Sequence, residues 1–488
     1  MTTIDNSQSI WTAEEAAAAT NGTASHSFTA TGVSIDSRTV KNGDLFIALK
    51  GENFDGHSFA PHAIAAGAAA VVVNHDYDGD AAPKLAVGDT QKAIEGLGAA
   101  SRARTTATVI GVTGSAGKTG TKEMLSIMLS ALGPTHASKK SFNNHWGVPL
   151  SLSNLARDAK YAVFEMGMNH AGEMTALAAQ VKPHIALITT IEPAHIEHFK
   201  TVEAIADAKA EIFTGMDAGG IAILNIDNPH FARLKAAAER AGIRKIYGFG
   251  EDEDAQSRLV DCTLHADSSR ITADILGERV KFKLNIPGKH IVINSLGALT
   301  VVKAAGGNLQ KAVEALRNSE PTEGRGNRHS INLQDGQPPL TIIDESYNAN
   351  PASMLAAFKV FEMVAPPAGG RRIAVLGDML ELGKDGPQLH AGLANPLLLA
   401  KTDLLFCCGP QMDALYQALP PDWRGGHTND SRELAKVLLE TVKPGDVILV
   451  KGSAGSKMGY IVHALQAAAT AKQPPKMPEK AKEQQDAL

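Results

Sequence analysis

The stretch Gly114-Ser115-Ala116-Gly117-Lys118-Thr119 limits the possible folds of this chain more than any other. It follows the β-branched run Thr108-Val109-Ile110-Gly111-Val112-Thr113 and leads into Lys122-Glu123-Met124-Leu125-Ser126-Ile127-Met128-Leu129. The pattern predicts strand, glycine loop and helix in that order. Glycines let backbone N–H groups turn toward an anion without interference from Cβ, and the helix start adds the positive end of a dipole. Lys118 is placed to reach outer phosphates, and Thr119 to set its hydroxyl on Mg²⁺. The spacing is the shorter T-G-x-x-G-K-T, because Val112 stands where the longer phosphate loop has its first glycine. A chance glycine turn is the bland alternative; with this strand before it and this helix after it, the loop is expected to bind ATP.

At 488 residues, and about 150 residues per domain, the chain is long enough for three domains with their own cores. A net charge of −5 gives no basic field for nucleic acid or anionic lipid, so neither is expected as a partner. The three cysteines, Cys262, Cys407 and Cys408, lack the spacing of a disulfide framework or a zinc site. The amino terminus carries Asp5, Glu14 and Glu15 rather than a basic and then apolar leader, and no uncharged apolar run is long enough to span a bilayer. A cytoplasmic protein with no membrane span, acting as a monomer on small molecules, is the expectation.

Residues 1–106 precede the ATP loop and read as a small α/β domain. Thr12 and Glu15 form a capping box for a helix over Ala13–Ala19, and strands are predicted at Leu45–Leu49 and Ala69–Val73. Ser37 and Arg38 sit beside a short strand, where a hydroxyl and a guanidinium suit a uracil edge or a diphosphate; a surface ion pair is the alternative. From 107 to 328 strands and helices alternate, which predicts a mostly parallel sheet covered on both faces, with ligands at the carboxyl ends of its strands. Glu165, His195 and the Asn225-Ile226-Asp227-Asn228 turn fall at or just beyond such ends. Glu165 is placed to hold Mg²⁺ opposite the Thr119 hydroxyl. His195 is either a ligand or a simple hydrogen-bonding loop residue.

Lys209 lies on the apolar stripe of the helix predicted over Thr201–Thr214, four after Ile205 and three before Ile212. A lysine there must be paired, snorkelling or functional. A desolvated lysine has a depressed pKa, and its neutral amine reacts with CO₂ to give a carbamate, an anion that ligates metal as a carboxylate does. His290 and Asn294 stand one turn apart on a helix that starts at Pro287-Gly288, and Arg325 lies between Gly324 and Gly326, where its fork suits a γ-phosphate or only a loop. Residues 329–470 form a third, Rossmann-like α/β domain. Its predicted strands Leu340–Ile343, Ile373–Leu376 and Val447–Val450 end in polar loops facing the ATP loop, and a polar, proline-bearing tail, 471–488, is expected to be disordered.

Taken together these residues resemble the Mur ligase family, ATP-dependent amide-bond-forming enzymes of peptidoglycan precursor synthesis. The resemblance runs over about residues 11 to 465. It rests on Thr113–Thr119, Asn143-Asn144-His145-Trp146-Gly147-Val148-Pro149, Glu165-Met166-Gly167-Met168-Asn169-His170, Pro193-Ala194-His195, Asn225–Asn228 and Gly288-Lys289-His290. The loops Ser346–Pro351 and Leu376–Gly383 resemble those of members that join D-alanyl-D-alanine to UDP-N-acetylmuramoyl-tripeptide through an acyl phosphate. The resemblance implies that the first domain holds the UDP-sugar substrate, with Ser37, Arg38, Asn143 and Asn144 in contact. It implies one Mg²⁺ on Thr119 and Glu165, and a second on Glu165, His195 and carbamylated Lys209. Lys118, Lys209, His195 and Glu165 are the implied catalytic set. Asn294, Arg325 and Asp344 are the implied nucleotide contacts beside Gly114, Ser115, Ala116, Gly117, Lys118 and Thr119. Tyr347, Asn348, Asn350 and Asp378 are the implied contacts to D-alanyl-D-alanine. Glu345 stands where a second aspartate is expected, and Ala454 where a longer polar side chain is usual. The competing readings are a ligase that adds the third amino acid, a folate polyglutamate ligase, or a P-loop kinase.

Overall fold

The computed structural model describes residues 9–51, 54–194 and 196–471. His195 and the tail from 472 onward, the latter expected to be disordered, lie outside the described residues. Three large sheets carry the described residues, beside a two-stranded pair of Trp11–Thr12 with Thr29–Ala30. The central one is nine-stranded, and the third strand from one edge, Thr108–Thr113, leads into the glycine loop. On one side it pairs in parallel with Tyr161–Glu165, and on the other with Ile185–Ile188. The strand order therefore reverses beside the glycine loop, where an open α/β sheet leaves a crevice for ligand. Val109, Ile110, Val112, Val163, Phe164 and Leu187 are wholly buried, because helices cover both faces. Beyond Lys245–Gly250 the sheet ends in an antiparallel extension of Ser257–Leu264, Ser269–Ile275 and Glu278–Leu284.

The carboxyl-terminal sheet has six strands, with Val447–Lys451 between Leu340–Glu345 and Arg372–Gly377. The first of these runs longer than its sequence predicts. Asp344 and Glu345 pair with Val450 and Lys451, so both lie inside the strand rather than past its end. Ladder pairing outweighs the low strand preference of the two carboxylates, on both sides for Asp344 and against Lys451 alone for Glu345.

The amino-terminal sheet has five strands, from Gly32–Ser34 through Asp44–Ile47, Ala70–Asn74 and Lys84–Val87 to Thr23–Ala24. The capping box of Ala13–Thr20 forms as the sequence predicts. This domain is tied to the central one by backbone-directed bonds. Buried Trp11 donates Nε1–H to the Ser153 carbonyl (2.9 Å), and Asn154 exchanges two bonds with the Val33 backbone (2.9 Å each). Arg157 reaches the Ser9 and Ile10 carbonyls and pairs with Glu15. Leu150 packs into the amino-terminal core. The carboxyl-terminal domain is joined differently, through the partly buried Ile196, which packs against the cores on both sides, and through Glu197 N–H to the Glu381 carbonyl (3.2 Å).

Candidate functional site

The helix Lys118–Ser130 begins directly at Lys118, so the glycine loop is a helix N-terminus. Two glycines are required by geometry. Gly117 has φ +80°, and a Cβ there would come within 2.3 Å of Asn294 Nδ2. Gly114 has φ +147°, and a Cβ would meet Thr189 Oγ1 at 1.9 Å. The loop is pinned by its neighbour strand, since Thr189 Oγ1 donates to Ala116 O (2.6 Å) and Ser115 Oγ to Glu192 O (2.9 Å). Asn294, 7% exposed on the helix Lys289–Ala304, closes the loop from below.

Glu165 ends its strand with 1% of its surface exposed. Its Oε1 accepts from Asn143 Nδ2 (2.7 Å) and from the Thr119 hydroxyl (3.2 Å), and Thr119 Oγ1 is 3.1 Å from Ser141 Oγ. Its Oε2 is buried with no hydrogen-bond partner. A buried carboxylate oxygen without a partner is costly unless a cation or donor arrives. Beside the Thr119 hydroxyl, this oxygen fits a hard cation that takes few protein ligands, as Mg²⁺ does. Among the described residues no three of His, Cys, Asp and Glu converge to hold a metal by themselves.

Lys118 Nζ donates to Gly114 O within its own loop (2.7 Å). Burial holds its ammonium below the usual lysine range, and Glu165 acts against that shift. Lys209 is 1% exposed on Val202–Ala210, on the inner face that its spacing predicts. Its ammonium makes no hydrogen bond or ion pair among the described residues. Burial first, and then the charge of Lys118, push it well below the lysine range. The next turn is fastened by Glu211, whose carboxylate caps the loop ahead of Glu173–Val181 through Gly172 N–H and Thr175 N–H.

Across the glycine loop, the carboxyl-terminal sheet closes a crevice of about 770 Å³. Ser115 to Thr119, Asn143, Asn144, Glu165, Asn294, Arg325, Tyr347, Asn348 and Asn350 line it together. The Arg325 guanidinium stacks 4.0 Å above the Tyr347 ring. Three of the expected substrate contacts are engaged locally. Asn144 Oδ1 accepts from Gly147 N–H (2.9 Å), Asn348 Oδ1 from Ala349 N–H (2.9 Å), and Asn350 caps Pro351–Met363.

Other expected contacts lie elsewhere. Asp378 is 4% exposed, and its carboxylate accepts from Met412 N–H (2.8 Å) and Gln411 N–H (3.3 Å), so the backbone rather than the crevice has its charge. Asp344 is turned away by strand alternation, for Ile343 and Glu345 on either side of it face the crevice. Its Oδ1 accepts from Ser346 N–H (3.0 Å). Ser37 and Arg38 sit on the amino-terminal domain outside the crevice lining, where Arg38 grips Asp36 through Nε and Nη2 (2.8 and 2.7 Å) and remains 85% exposed.

The expected site set omits Lys451, 2% exposed, whose Nζ donates to Asn348 O (3.0 Å) and lies 3.4 Å from Glu345 Oε2 in the crevice wall. Its place at the end of a strand, before Gly452-Ser453, is the signal that marks it.

Three family descriptions match the chain in order. "Mur ligase family, catalytic domain" matches residues 29–105, "Mur ligase middle domain" 112–302, and "Mur ligase, glutamate ligase domain" 331–454. The UDP-N-acetylmuramoyl-tripeptide–D-alanyl-D-alanine ligase of Escherichia coli is 35% identical over 438 residues, covering 89% of this chain and 93% of its own. The enzyme of that name from Bacillus subtilis is 33% identical over 439 residues, with 89% and 93% covered. Among solved structures, MurF from Acinetobacter baumannii superposes with a TM-score of 0.80 at 31% identity, covering 94% of this chain and 99% of its own. MurF ligase from Thermotoga maritima in complex with ADP gives 0.73 at 25% identity, covering 91% and 98%. With three descriptions matched in chain order and relatives aligned over nearly their whole length, this chain belongs to the Mur ligase family.

Proposed function

We propose that this chain is an ATP-dependent ligase that joins D-alanyl-D-alanine to UDP-N-acetylmuramoyl-tripeptide, giving the pentapeptide, ADP and phosphate. The observation that carries the reading is the partnerless Glu165 Oε2 beside Thr119 and the glycine loop, in a crevice that Arg325 lines from the loop ahead of the carboxyl-terminal sheet. A carboxylate is a poor electrophile. The tripeptide's terminal carboxylate therefore attacks the γ-phosphorus, and ADP leaves. The dipeptide amine then attacks the acyl carbon, loses a proton, and phosphate leaves. Both steps build negative charge on oxygens, which the Lys118 ammonium and the Arg325 fork stabilise from opposite walls. Thr119 and Glu165 would hold a Mg²⁺, which would supply Lewis-acid neutralisation of the phosphates. Lys209, in its neutral form, has the chemistry to take up CO₂, and on the resemblance the carbamate and His195 would be further donors to a second cation. Asn294 holds the loop against the nucleotide. Tyr347 and Lys451 line the acceptor side, and Ser37 and Arg38 belong to the platform for the UDP-sugar. The crevice between two sheets keeps water from the acyl phosphate.

The test is phosphate release by purified protein with ATP, Mg²⁺ and UDP-N-acetylmuramoyl-tripeptide, with and without D-alanyl-D-alanine. The expected product is heavier than the donor by the dipeptide less one water. Phosphate left on the donor without need of an amine would mark a kinase instead. Release driven by a single amino acid or by folate would mark another ligase of the family.

A further inference from the structure

Lys122 is the second fully buried lysine near the glycine loop, and nothing in the mechanism above uses it. It lies on Lys118–Ser130, one turn after Thr119. Unlike Lys209 it is fully satisfied, because Nζ donates to Ser138 O (2.7 Å), Lys140 O (2.9 Å) and Glu123 Oε1 (2.6 Å). An ammonium has three protons, and all are taken. Two of the acceptors are backbone carbonyls of one short loop. That loop carries the residues around Glu165. The Ser138 hydroxyl accepts from Glu165 N–H (3.3 Å), Ser141 Oγ stands 3.1 Å from Thr119 Oγ1, and Asn143 Nδ2 holds Glu165 Oε1 at 2.7 Å. Between them Lys140 takes a left-handed backbone, φ +49°, a conformation that a non-glycine residue keeps only when its surroundings impose it.

We infer that Lys122 is a positioning residue for the reaction: its buried ammonium ties the Ser138–Lys140 loop to the phosphate-binding helix and so sets the geometry of the Thr119–Glu165 pair. The inference rests on the reading of that pair as the cation and phosphate site. Burying a lysine head costs several kcal/mol unless every donor is matched, and here two of the three matches go to one loop rather than to a structural core. An apolar residue would fill the same space at lower cost, yet it could not hold two carbonyls.

The test compares Lys122→Met, Lys122→Arg and Ser138→Ala with the parent enzyme in the full chain. The readouts are kcat, KM for ATP, the Mg²⁺ concentration for half-maximal rate, Mg²⁺-dependent ADP binding by calorimetry, and amide exchange of residues 138–143. Lys122→Met is expected to lower kcat by about 100-fold and to weaken Mg²⁺-dependent ADP binding about 10-fold, with faster exchange in the loop. Lys122→Arg, which keeps the charge and the donors, should recover part of both. If Lys122→Met does not fold, Ser138→Ala, which removes only the hydroxyl on Glu165 N–H, should still raise the Mg²⁺ requirement several-fold. Lowered thermal stability with parental kcat, Mg²⁺ requirement and ADP binding would overturn the inference, as would a parental Mg²⁺ requirement in Ser138→Ala. Loss of all phosphate release in the parent itself would instead sink the ligase reading, while the binding and exchange readouts still decide the role of Lys122.

Discussion

The Asn143 amide holds one oxygen of the Glu165 carboxylate at 2.7 Å and leaves the other buried without a partner. The carboxylate is thereby aimed before any cation arrives. Asn143→Ala frees it to rotate, and the Mg²⁺ requirement should rise about 10-fold with little change in KM for the acceptor. A magnesium titration of the initial rate reads this directly, and an unchanged requirement would remove Asn143 from the metal side of the site.

Lys209 is buried with no partner among the described residues, so its charged form is disfavoured and its amine is available to CO₂. Lys209→Ala should lose several orders of magnitude in rate and regain part of it with added short-chain carboxylic acids. Protein exposed to isotope-labelled bicarbonate should show a carbamate carbon resonance that the variant lacks. Parental activity in Lys209→Ala would exclude the carbamate role.

Arg325 both reaches the crevice and stacks on Tyr347. Arg325→Ala should cost about 3 kcal/mol of transition-state stabilisation, roughly a hundredfold in kcat. Arg325→Lys should recover little, because an ammonium cannot stack as a planar guanidinium does. Steady-state rates of both variants decide it.

For Asp378 the expectation is a loss of stability rather than of acceptor binding. Replacing it with alanine leaves the Met412 N–H without its acceptor, at a cost of about 1–3 kcal/mol. Denaturant unfolding should detect that loss, while KM for D-alanyl-D-alanine stays within about twofold of the parent. A large rise in that KM would return Asp378 to the acceptor site.

His136 gives the protein an acid-labile point. Burial lowers its pKa from 6.5 to about 4. An unfolded chain binds the proton below about 6.5 while the native state refuses it, so stability is full above that pH and falls as pH drops toward 4. The loss approaches about 3 kcal/mol at the lower end. His136→Phe should flatten this part of the unfolding free energy measured between pH 7 and pH 5.

Much of the fold was legible because local rules agreed with the global arrangement. The glycine loop lies between its strand and its helix, the Thr12 capping box forms, and Lys209 faces inward as its helical spacing requires. The misplaced residues have a common cause. Asp344 and Asp378 sit at strand ends, where sequence places carboxylates near ligand, yet the strand runs two residues further and faces Asp344 away, and the distant Met412 amide claims Asp378. Neither the register of a strand nor a hydrogen bond to a residue 34 positions away is written in local pattern. Lys122 was missed although the reasoning applied to Lys209 reaches it, for it stands three before Leu125 on the buried stripe of its helix.

The unequal attachment of the two outer domains has a bearing on how such a chain changes over time. The amino-terminal domain is stitched to the central sheet through Trp11, Asn154 and Arg157, so altering it disturbs the sheet that carries the phosphate loop. The carboxyl-terminal domain meets that sheet through the Ile196 contact, the backbone bond at Glu197, the bond from Arg328 Nη2 to the Ala266 carbonyl, and the crevice itself. Positions along it, such as Glu345 at the end of its strand and Ala454 after another, can therefore change while the sheet that carries the phosphate loop stays as inherited.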